Sequence, residues 1–448
     1  MTRAARPHIP GLLIGAPRSG SGKTTVTLGL QRALVRRGLS VRGLKCGPDY
    51  IDPAFHKVAT GKPSANLDSF AMQDALIESL VQEAEQNTDL IVAEGSMGLF
   101  DGAGAIKGHT GASADIAALS GWPIVLVIDV TGVAQSAAAV ALGFMQFDPR
   151  IRIAGVILNK VSSERHRRLA SEGMAQIDLP IFGALPREVS LILPERYLGL
   201  VQAAETNDLD TRLDTLAHAI ESSVDLDRLI ATAAPAQFAF QPENHALPPP
   251  GQRIAIARDE AFSFLYPHLE TGWRAQGASL YFFSPLADDT LPSDCDVCWL
   301  PGGYPELHAG RLASNENFLG SLRSFAKILP VHGECGGYMV LGDSLADVNG
   351  VPHRMLGLLP VTTSCAKRRL NLGYRVAELV ADNILGRVGT ILIGHEFHYA
   401  SVISAEPSQT EAFAHCQSVD GTDLGFAGHR RGTVSGTFFH VIARAPSG

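Results

Sequence analysis

Short apolar runs recur through the first half of the chain with helical stretches between them. No other feature limits the fold as much. The runs are residues 12–15, 41–44 (VRGL), 90–93 (LIVA), 124–129 (IVLVID) and 153–158 (IAGVIL). Buried runs separated by amphipathic segments predict parallel strands in a doubly wound α/β sheet. In such a sheet the site lies on the loops that follow the carboxyl ends of the strands. The unusual polar residues of this half fall in those loops.

Residues 11–30, GLLIGAPRSGSGKTTVTLGL, carry the most specific of these loops. The run Leu12-Leu13-Ile14 is followed by a glycine- and serine-rich turn, then Lys23-Thr24-Thr25 and a helical segment. A phosphate-binding loop needs those pieces in that order. The strand delivers the loop, and small residues let backbone N–H groups crowd around phosphate. Lysine supplies a point charge and the first threonine a hydroxyl for Mg²⁺, while the helix points its positive end inward. Ser19, Gly20, Ser21, Gly22, Lys23, Thr24 and Thr25 are therefore candidate ATP ligands. In the pattern G-x-x-x-x-G-K-[ST], Gly22, Lys23 and Thr24 fit, but Pro17 takes the first glycine position, and Arg18 and Ser19 join the cradle. The bland alternative is a flexible turn before a surface helix.

The second run leads into Lys45-Cys46-Gly47-Pro48-Asp49-Tyr50-Ile51-Asp52-Pro53, and the third into Glu94-Gly95-Ser96-Met97-Gly98-Leu99-Phe100-Asp101-Gly102. Asp129 ends the fourth run, and Asn159-Lys160 follow the fifth. Mg²⁺ takes hard oxygen donors, so Asp49 and Glu94 are expected on the metal beside Thr24. Lys45 would neutralise charge on a transferring phosphoryl group. Asn159 could read the adenine. For each acid alone, a helix cap or turn residue is the structural alternative.

The chain has 448 residues, which predicts two or three domains. Its 37 basic and 45 acidic residues give a net charge of −8, which argues against a general nucleic-acid binder. The start, MTRAARPHIPGLL, has no apolar core of a secretion signal, and no apolar stretch long enough for a membrane span is present. Six cysteines in so long a chain do not make a disulfide framework. These features predict a cytoplasmic protein with reduced thiols.

Residues 231–252, ATAAPAQFAFQPENHALPPPGQ, interrupt the alternation, and Pro248-Pro249-Pro250 is a stiff connector. The expected division is a nucleotide domain over 1–233, a linker over 234–251 and a second domain over 252–448. That domain restarts with Ile254-Ala255-Ile256-Ala257. Further on, Val297-Cys298-Trp299-Leu300 leads into Pro301-Gly302-Gly303-Tyr304-Pro305-Glu306. A third run, residues 328–332, leads into Gly333-Glu334-Cys335-Gly336-Gly337-Tyr338. Strand, G-x-C-G-G and helix make a nucleophile turn. The glycines permit the bend and keep the thiol exposed, and the helix start lowers its pKa. His440 near the end could serve as base.

Other pairs carry less. Cys295 and Cys298 have C-x-x-C spacing but run straight into a strand, which reads as structural. His395-Glu396-Phe397-His398 is one residue short of H-E-x-x-H and follows a strand-like ILIG, so a metalloprotease is rejected. Lys367-Arg368-Arg369, with Arg375 nearby, could meet an acidic substrate or be a solvated loop face.

Taken together, APRSGSGKTT, KCGPDYIDPAFH, EGSMGLFDG, ILNKV, LPGGYPELHAG, GECGGYMVLGD, LNLGYR and GHEFHYA resemble the cobyrinic and hydrogenobyrinic acid a,c-diamide synthases. These are glutamine-dependent amidotransferases of cobalamin biosynthesis, and the similar stretches span nearly the whole chain. The resemblance implies a dethiobiotin synthetase-like N-terminal domain and a class I glutaminase-like C-terminal domain. It implies that ATP with Mg²⁺ phosphorylates a carboxylate of the corrinoid ring. Cys335 would attack L-glutamine with His440 as base, and ammonia would pass to the acyl phosphate by a shielded route. It places Asp49, Asp52, Glu94 and Asp101 near metal, phosphate and substrate, with Asp52 and Asp101 on the substrate. Backbone N–H groups near Gly303 and Gly336 are its candidates for the oxyanion hole.

Two positions depart from pattern. Class I glutaminases commonly carry an acid two residues after the catalytic histidine, and here that residue is Ile442. The site is then a Cys–His pair, or another group such as Glu396 orients the ring. Pro17 is the second departure, shared with the family's APxSGxGKTT form. The substrate implied is hydrogenobyrinic acid, with cobyrinic acid next. Cobyric acid synthase and a partitioning-type P-loop ATPase are the alternatives, the last needing no thiol. Whether the chain forms a homodimer is left open.

Overall fold

The computed structural model describes residues 8–445 apart from 105, 189–190, 192, 194, 197–198, 207, 239–245, 368 and 404–406. Part of the expected linker and Arg368 lie outside the described residues. The chain forms two compact units, Met1–Asn244 and His245–Gly448.

The first unit is built on an 8-stranded sheet. Its strands are β1 (Pro10–Gly15), β2 (Val41–Cys46), β3 (Ala65–Leu67), β4 (Leu90–Glu94), β5 (Ile124–Asp129), β6 (Ile153–Val161) and β7 (Ile181–Pro186). They run in the order β3-β2-β4-β1-β5-β6-β7 and are all parallel. A two-residue strand, Ala234–Pro235, adds antiparallel to the start of β1. The five apolar runs of the sequence are the five inner strands next to β1 and its neighbours. Leu12, Leu13, Ile14, Val92 and Val125 are each 0% exposed, as strands covered on both faces must be. Each such side chain contributes about 1.5–3 kcal/mol of transfer free energy. The edge strands β3 and β7 have no matching apolar run. β3 is three residues long, and β7 is buried at only two of its six positions.

From β1 the chain enters α1 (Lys23–Arg36) through Gly22, whose φ of 90° is left-handed. No side chain caps this helix, which leaves its first N–H groups directed into the loop. α2 (Asp52–Thr60) follows β2, and α3 (Leu209–Ser223) packs on α1. That contact is close: a Cβ on Gly29 would stand 2.8 Å from Ile220 and 3.0 Å from the Leu216 carbonyl.

The second unit has a 6-stranded sheet of β8 (Arg253–Ala257), β9 (Ser279–Phe283), β10 (Val297–Leu300), β11 (Val331–Glu334), β16 (His429–Arg431) and β17 (Val434–Thr437). Their order is β9-β8-β10-β11-β17-β16, parallel except for the β16–β17 hairpin. A 5-stranded antiparallel sheet is made by β12 (Asn371–Leu379), β13 (Ile391–His398), β14 (Ala414–Gln417), β15 (Asp423–Ala427) and β18 (His440–Arg444), in the order β15-β14-β12-β13-β18. Trp273, Trp299, Phe262 and Phe318 fill the core at 0% exposure. The run read as a strand over 328–332 begins only at Val331. Pro330 has no N–H for a ladder, and Ile328 is 80% exposed. α4 (Gly336–Leu341) follows β11 after a single residue, Cys335.

Candidate active site

In the first unit a cavity of about 670 Å³ is lined by Ser19, Gly20, Gly22, Lys23, Thr24 and Thr25 and by Lys45, Glu94 and Asn159, while Ser21 is buried and donates to the Arg18 carbonyl at 2.9 Å. Sheet register sets its polar floor. Ile14 pairs with Glu94 and Lys45 pairs with Glu94, so three neighbouring strands end at one place. The Thr24 hydroxyl donates to Glu94 Oε1 at 2.5 Å, and Lys45 Nζ donates to the same oxygen at 2.9 Å. Lys45 also lies 2.5 Å from Asp52, and His56 Nε2 meets the other Glu94 oxygen at 2.8 Å. Burial alone would raise the Glu94 carboxyl, but Lys45 and then His56 hold it well below the usual range. Burial likewise works against the Lys45 ammonium, which Asp52 and Glu94 keep charged. Asp52 is pushed up, first by burial and then by Asp49. Lys23 is pulled down to about 8 by burial and by Lys45, and its Nζ donates to the Met97 carbonyl.

His56 is a site residue that the sequence reading did not single out. It lies on α2 at the end of the stretch KCGPDYIDPAFH, where no spacing of its own marks it, and only packing brings it to Glu94 at 0% exposure. Asp49 Oδ1 accepts the Ile51 and Asp52 N–H groups at 2.7 and 2.9 Å, the cap geometry weighed as its alternative. Asn159 Nδ2 donates to the Ser21 carbonyl at 2.9 Å, and its Oδ1 accepts from the Lys160 N–H. Asp101 accepts the Gly98 N–H at 2.9 Å. Arg18 reaches Asp129 at 3.4 Å. Among the described residues no three His, Cys, Asp or Glu side chains cluster as a resident metal site. The hard oxygens of Thr24 and Glu94 suit a Mg²⁺ that arrives with phosphate.

In the second unit Cys335 is the single residue between β11 and α4, with φ 46° and ψ −105°. A non-glycine residue there is strained by about 1–3 kcal/mol, a mark of functional turns. Glycines surround it because nothing larger fits. A Cβ on Gly337 would stand 2.0 Å from the Leu300 carbonyl oxygen. One on Gly302 would stand 2.2 Å from His440 Cε1 and 3.2 Å from Cys335 Cβ. Gly302 is thus the spacer between thiol and imidazole. One on Gly336 would lie 3.0 Å from the Gly303 nitrogen, so the two amides proposed for an oxyanion share one corner.

The expectation of an exposed thiol with a lowered pKa is corrected. Cys335 is 3% exposed, and burial pushes its thiol far up, with Glu306 adding to this and the Gly336 N–H opposing. Six residues of helix contribute less than the loss of water around a thiolate. His440 is 0% exposed and pushed down to about 3, by burial first and His395 next. Glu396, considered above for orienting His440, holds Arg375 at 2.5 Å and His398 at 2.7 Å. The carboxylate against the ring is Glu334, with Oε2 3.7 Å from His440 Nδ1. Ile442 is buried core, and its carbonyl accepts from His268 at 2.8 Å. Arg375 stands in β12 paired with Glu396, not on a loop face. Cys295 and Cys298 are buried free thiols.

Residues 12–200 match the CobQ/CobB/MinD/ParA nucleotide binding domain, and residues 253–447 match the CobB/CobQ-like glutamine amidotransferase domain. Three proteins named hydrogenobyrinate a,c-diamide synthase align along nearly the whole length. Those of Agrobacterium fabrum and Mesorhizobium japonicum are each 54% identical over 97% of this chain and 98% of their own. That of Rhodobacter capsulatus is 50% identical over 97% of this chain and 98% of its own. The chain belongs to the hydrogenobyrinate a,c-diamide synthase family. In that family the two units described above are a nucleotide-binding domain and a glutamine amidotransferase domain of one enzyme, a ligase that takes its amide nitrogen from glutamine. Among the described residues no helix is long and apolar enough to cross a membrane.

Proposed function

We propose that this member of the family amidates the a and c carboxylates of hydrogenobyrinic acid, using L-glutamine, ATP and Mg²⁺ in the cytoplasm. One observation carries the reading: relatives of that name are 54% identical over 97% of a chain that holds both a phosphate loop and a buried thiol–imidazole pair.

In the first unit Ser19 to Thr25 cradle the triphosphate, and Lys23 follows charge onto the γ-phosphoryl group. Thr24 and Glu94, with Asp49 beside them, hold Mg²⁺, whose charge offsets that of the phosphates. Lys45, fixed between Asp52 and Glu94, faces the phosphoryl group as it moves to the ring carboxylate. Asp52 and Asp101 border the substrate, and Asn159 borders the nucleotide. The product of this half is an acyl phosphate and ADP. In the second unit the Cys335 sulfur attacks the side-chain amide carbon of glutamine, and its proton passes to His440. The amide nitrogen takes that proton from His440 and leaves as ammonia, and water then hydrolyses the glutamyl thioester. Amides at Gly303 and Gly336 face the tetrahedral oxygen. Ammonia displaces phosphate from the acyl phosphate to give the amide.

Purified protein is assayed with hydrogenobyrinic or cobyrinic acid, glutamine and MgATP, and product mass is read. Two amidations of the metal-free ring are expected. Activity confined to the cobalt ring, or amidation at other carboxylates, would replace the substrate assignment. Cys335→Ala should abolish glutamine use but keep amidation from added ammonia. Loss of both in a folded variant would refute the division of labour. Lys23→Ala should stop amidation from either nitrogen source.

A further inference from the structure

Glu334 is 1% exposed and immediately precedes the nucleophile on β11. Its Oε1 accepts the Val441 N–H at 2.8 Å. Its Oε2 lies 3.7 Å from His440 Nδ1. One carboxyl group therefore grips the backbone just after the histidine and faces the ring of the histidine itself. Cε1 and Nε2 of that ring lie against Gly302, where an added Cβ would stand 2.2 and 2.8 Å from them and 3.2 Å from Cys335 Cβ. The backbone of Phe264 supports the ring as well.

A single backbone N–H can be satisfied by a neutral amide, so it does not account for a buried acid. The second oxygen is what needs an acid. At 3.7 Å it is beyond hydrogen-bond range, but catalytic bonds are often long before substrate arrives, and a shift of under about 1 Å would close it.

We propose that Glu334 is the positioning residue for His440, holding its Nδ1 edge so that Nε2 is presented to the Cys335 thiol. It fills the role of the acid that other Cys–His sites place elsewhere, and that this chain cannot place at Ile442. The inference rests on Cys335 and His440 being nucleophile and base. When the S–H bond of Cys335 breaks and its proton moves to Nε2, Nδ1 stays held against Glu334 Oε2, and the ionised form of that carboxyl offsets the imidazolium charge. Burial pushes the resting carboxyl up to about 8, with the Val441 N–H opposing. A cation on His440 brings it down again. The other titratable groups facing His440 are His395, His398 and Glu396. Glu396 is already held by Arg375 and His398.

The test compares Glu334→Gln and Glu334→Asp in the full chain. Glu334→Gln keeps an acceptor for the Val441 N–H but loses the charge. It should lower kcat for glutamine hydrolysis by about tenfold or more, the usual scale for losing an orienting partner. KM for glutamine should change less than about twofold, and ammonia-driven amidation should be unchanged. The pH profile of Cys335 alkylation by iodoacetamide should shift with it. Glu334→Asp should recover part of kcat and of the profile. Wild-type kcat and profile in Glu334→Gln would overturn the proposal. So would an aspartate variant no better than the glutamine one, or equal loss of the glutamine and ammonia reactions. Glutamine use surviving in Cys335→Ala would instead sink the reading of the thiol, which separates the two failures.

Discussion

At the scale of single residues, the second unit turns on atoms that are absent as much as on those present. Gly302 has no chemistry of its own, yet a methyl group there would occupy the edge of the His440 ring at 2.2 Å. Gly302→Ala must therefore push the imidazole away from the thiol. Misplacement of about 1 Å costs on the order of 100-fold in a positioned reaction. The expected result is that loss in glutamine-dependent kcat with ammonia-driven amidation intact, measured by glutamate release and product mass. A variant with normal glutaminase activity would show that the spacer is not needed. The doublet Gly302-Gly303 was visible in the sequence, but not its partner. His440 lies far along the chain, and only the pairing of β13 with β18 returns it to the site, His395 opposite His440.

At the scale of elements, each half places its chemistry where a strand stops. In the first, β1 ends in the phosphate loop and α1 begins with uncapped N–H groups. Gly22 makes the corner at φ 90°, and a Cβ there would stand 2.2 Å from Asn159 Nδ2. Gly22→Ala combines a disfavoured backbone with a clash at the residue that ties β6 to the loop. We expect ATP affinity to fall by about tenfold or more, read by calorimetric titration, with glutamine hydrolysis less affected. Equal ATP affinity in the variant would contradict the cradle. In the second half, β11 ends just before Cys335, whose φ of 46° makes the corner into α4. The glycines around this turn were legible in sequence. The burial of the thiol was not, because exposure is decided by what packs over the turn from elsewhere in the chain rather than by the motif.

At the scale of the whole molecule, the second unit buries histidines in neutral form. His268 and His395 are pushed down to about 4, and His332 and His440 to about 3, by burial in every case. In the unfolded chain each titrates near 6.5. The unfolded state then binds more protons as pH falls below about 6.5. Stability is fully present above that value and is lost as pH drops toward 4. Glu334 has the opposite sign: raised to about 8, it favours folding as pH falls through 8 toward its unfolded value near 4.5. Four groups outweigh one, so the net slope below pH 6.5 is downward, at up to about 1.4 kcal/mol per pH unit for each histidine. Urea midpoints followed by tryptophan fluorescence should fall between pH 6.5 and 5, since Trp273 and Trp299 both sit in this core, Trp299 against His332. A flat midpoint over that interval would mean that these rings are not buried neutral.

What the sequence determined by itself is whatever depends on neighbours in the chain. Runs buried on both faces are mostly apolar, so the inner strands could be read, whereas β3 and β7 at the edges could not. A phosphate loop and a glycine-flanked cysteine are contiguous, and both were plain. Only the tertiary structure decided which distant groups meet them. His56 arrives at Glu94 from a helix, Lys45 and Glu94 meet by register, and Gly302 comes between Cys335 and His440. Glu334, which stands next to the cysteine in the chain, turns out to face the histidine. Contacts of that kind come from packing strands side by side, which no local pattern records.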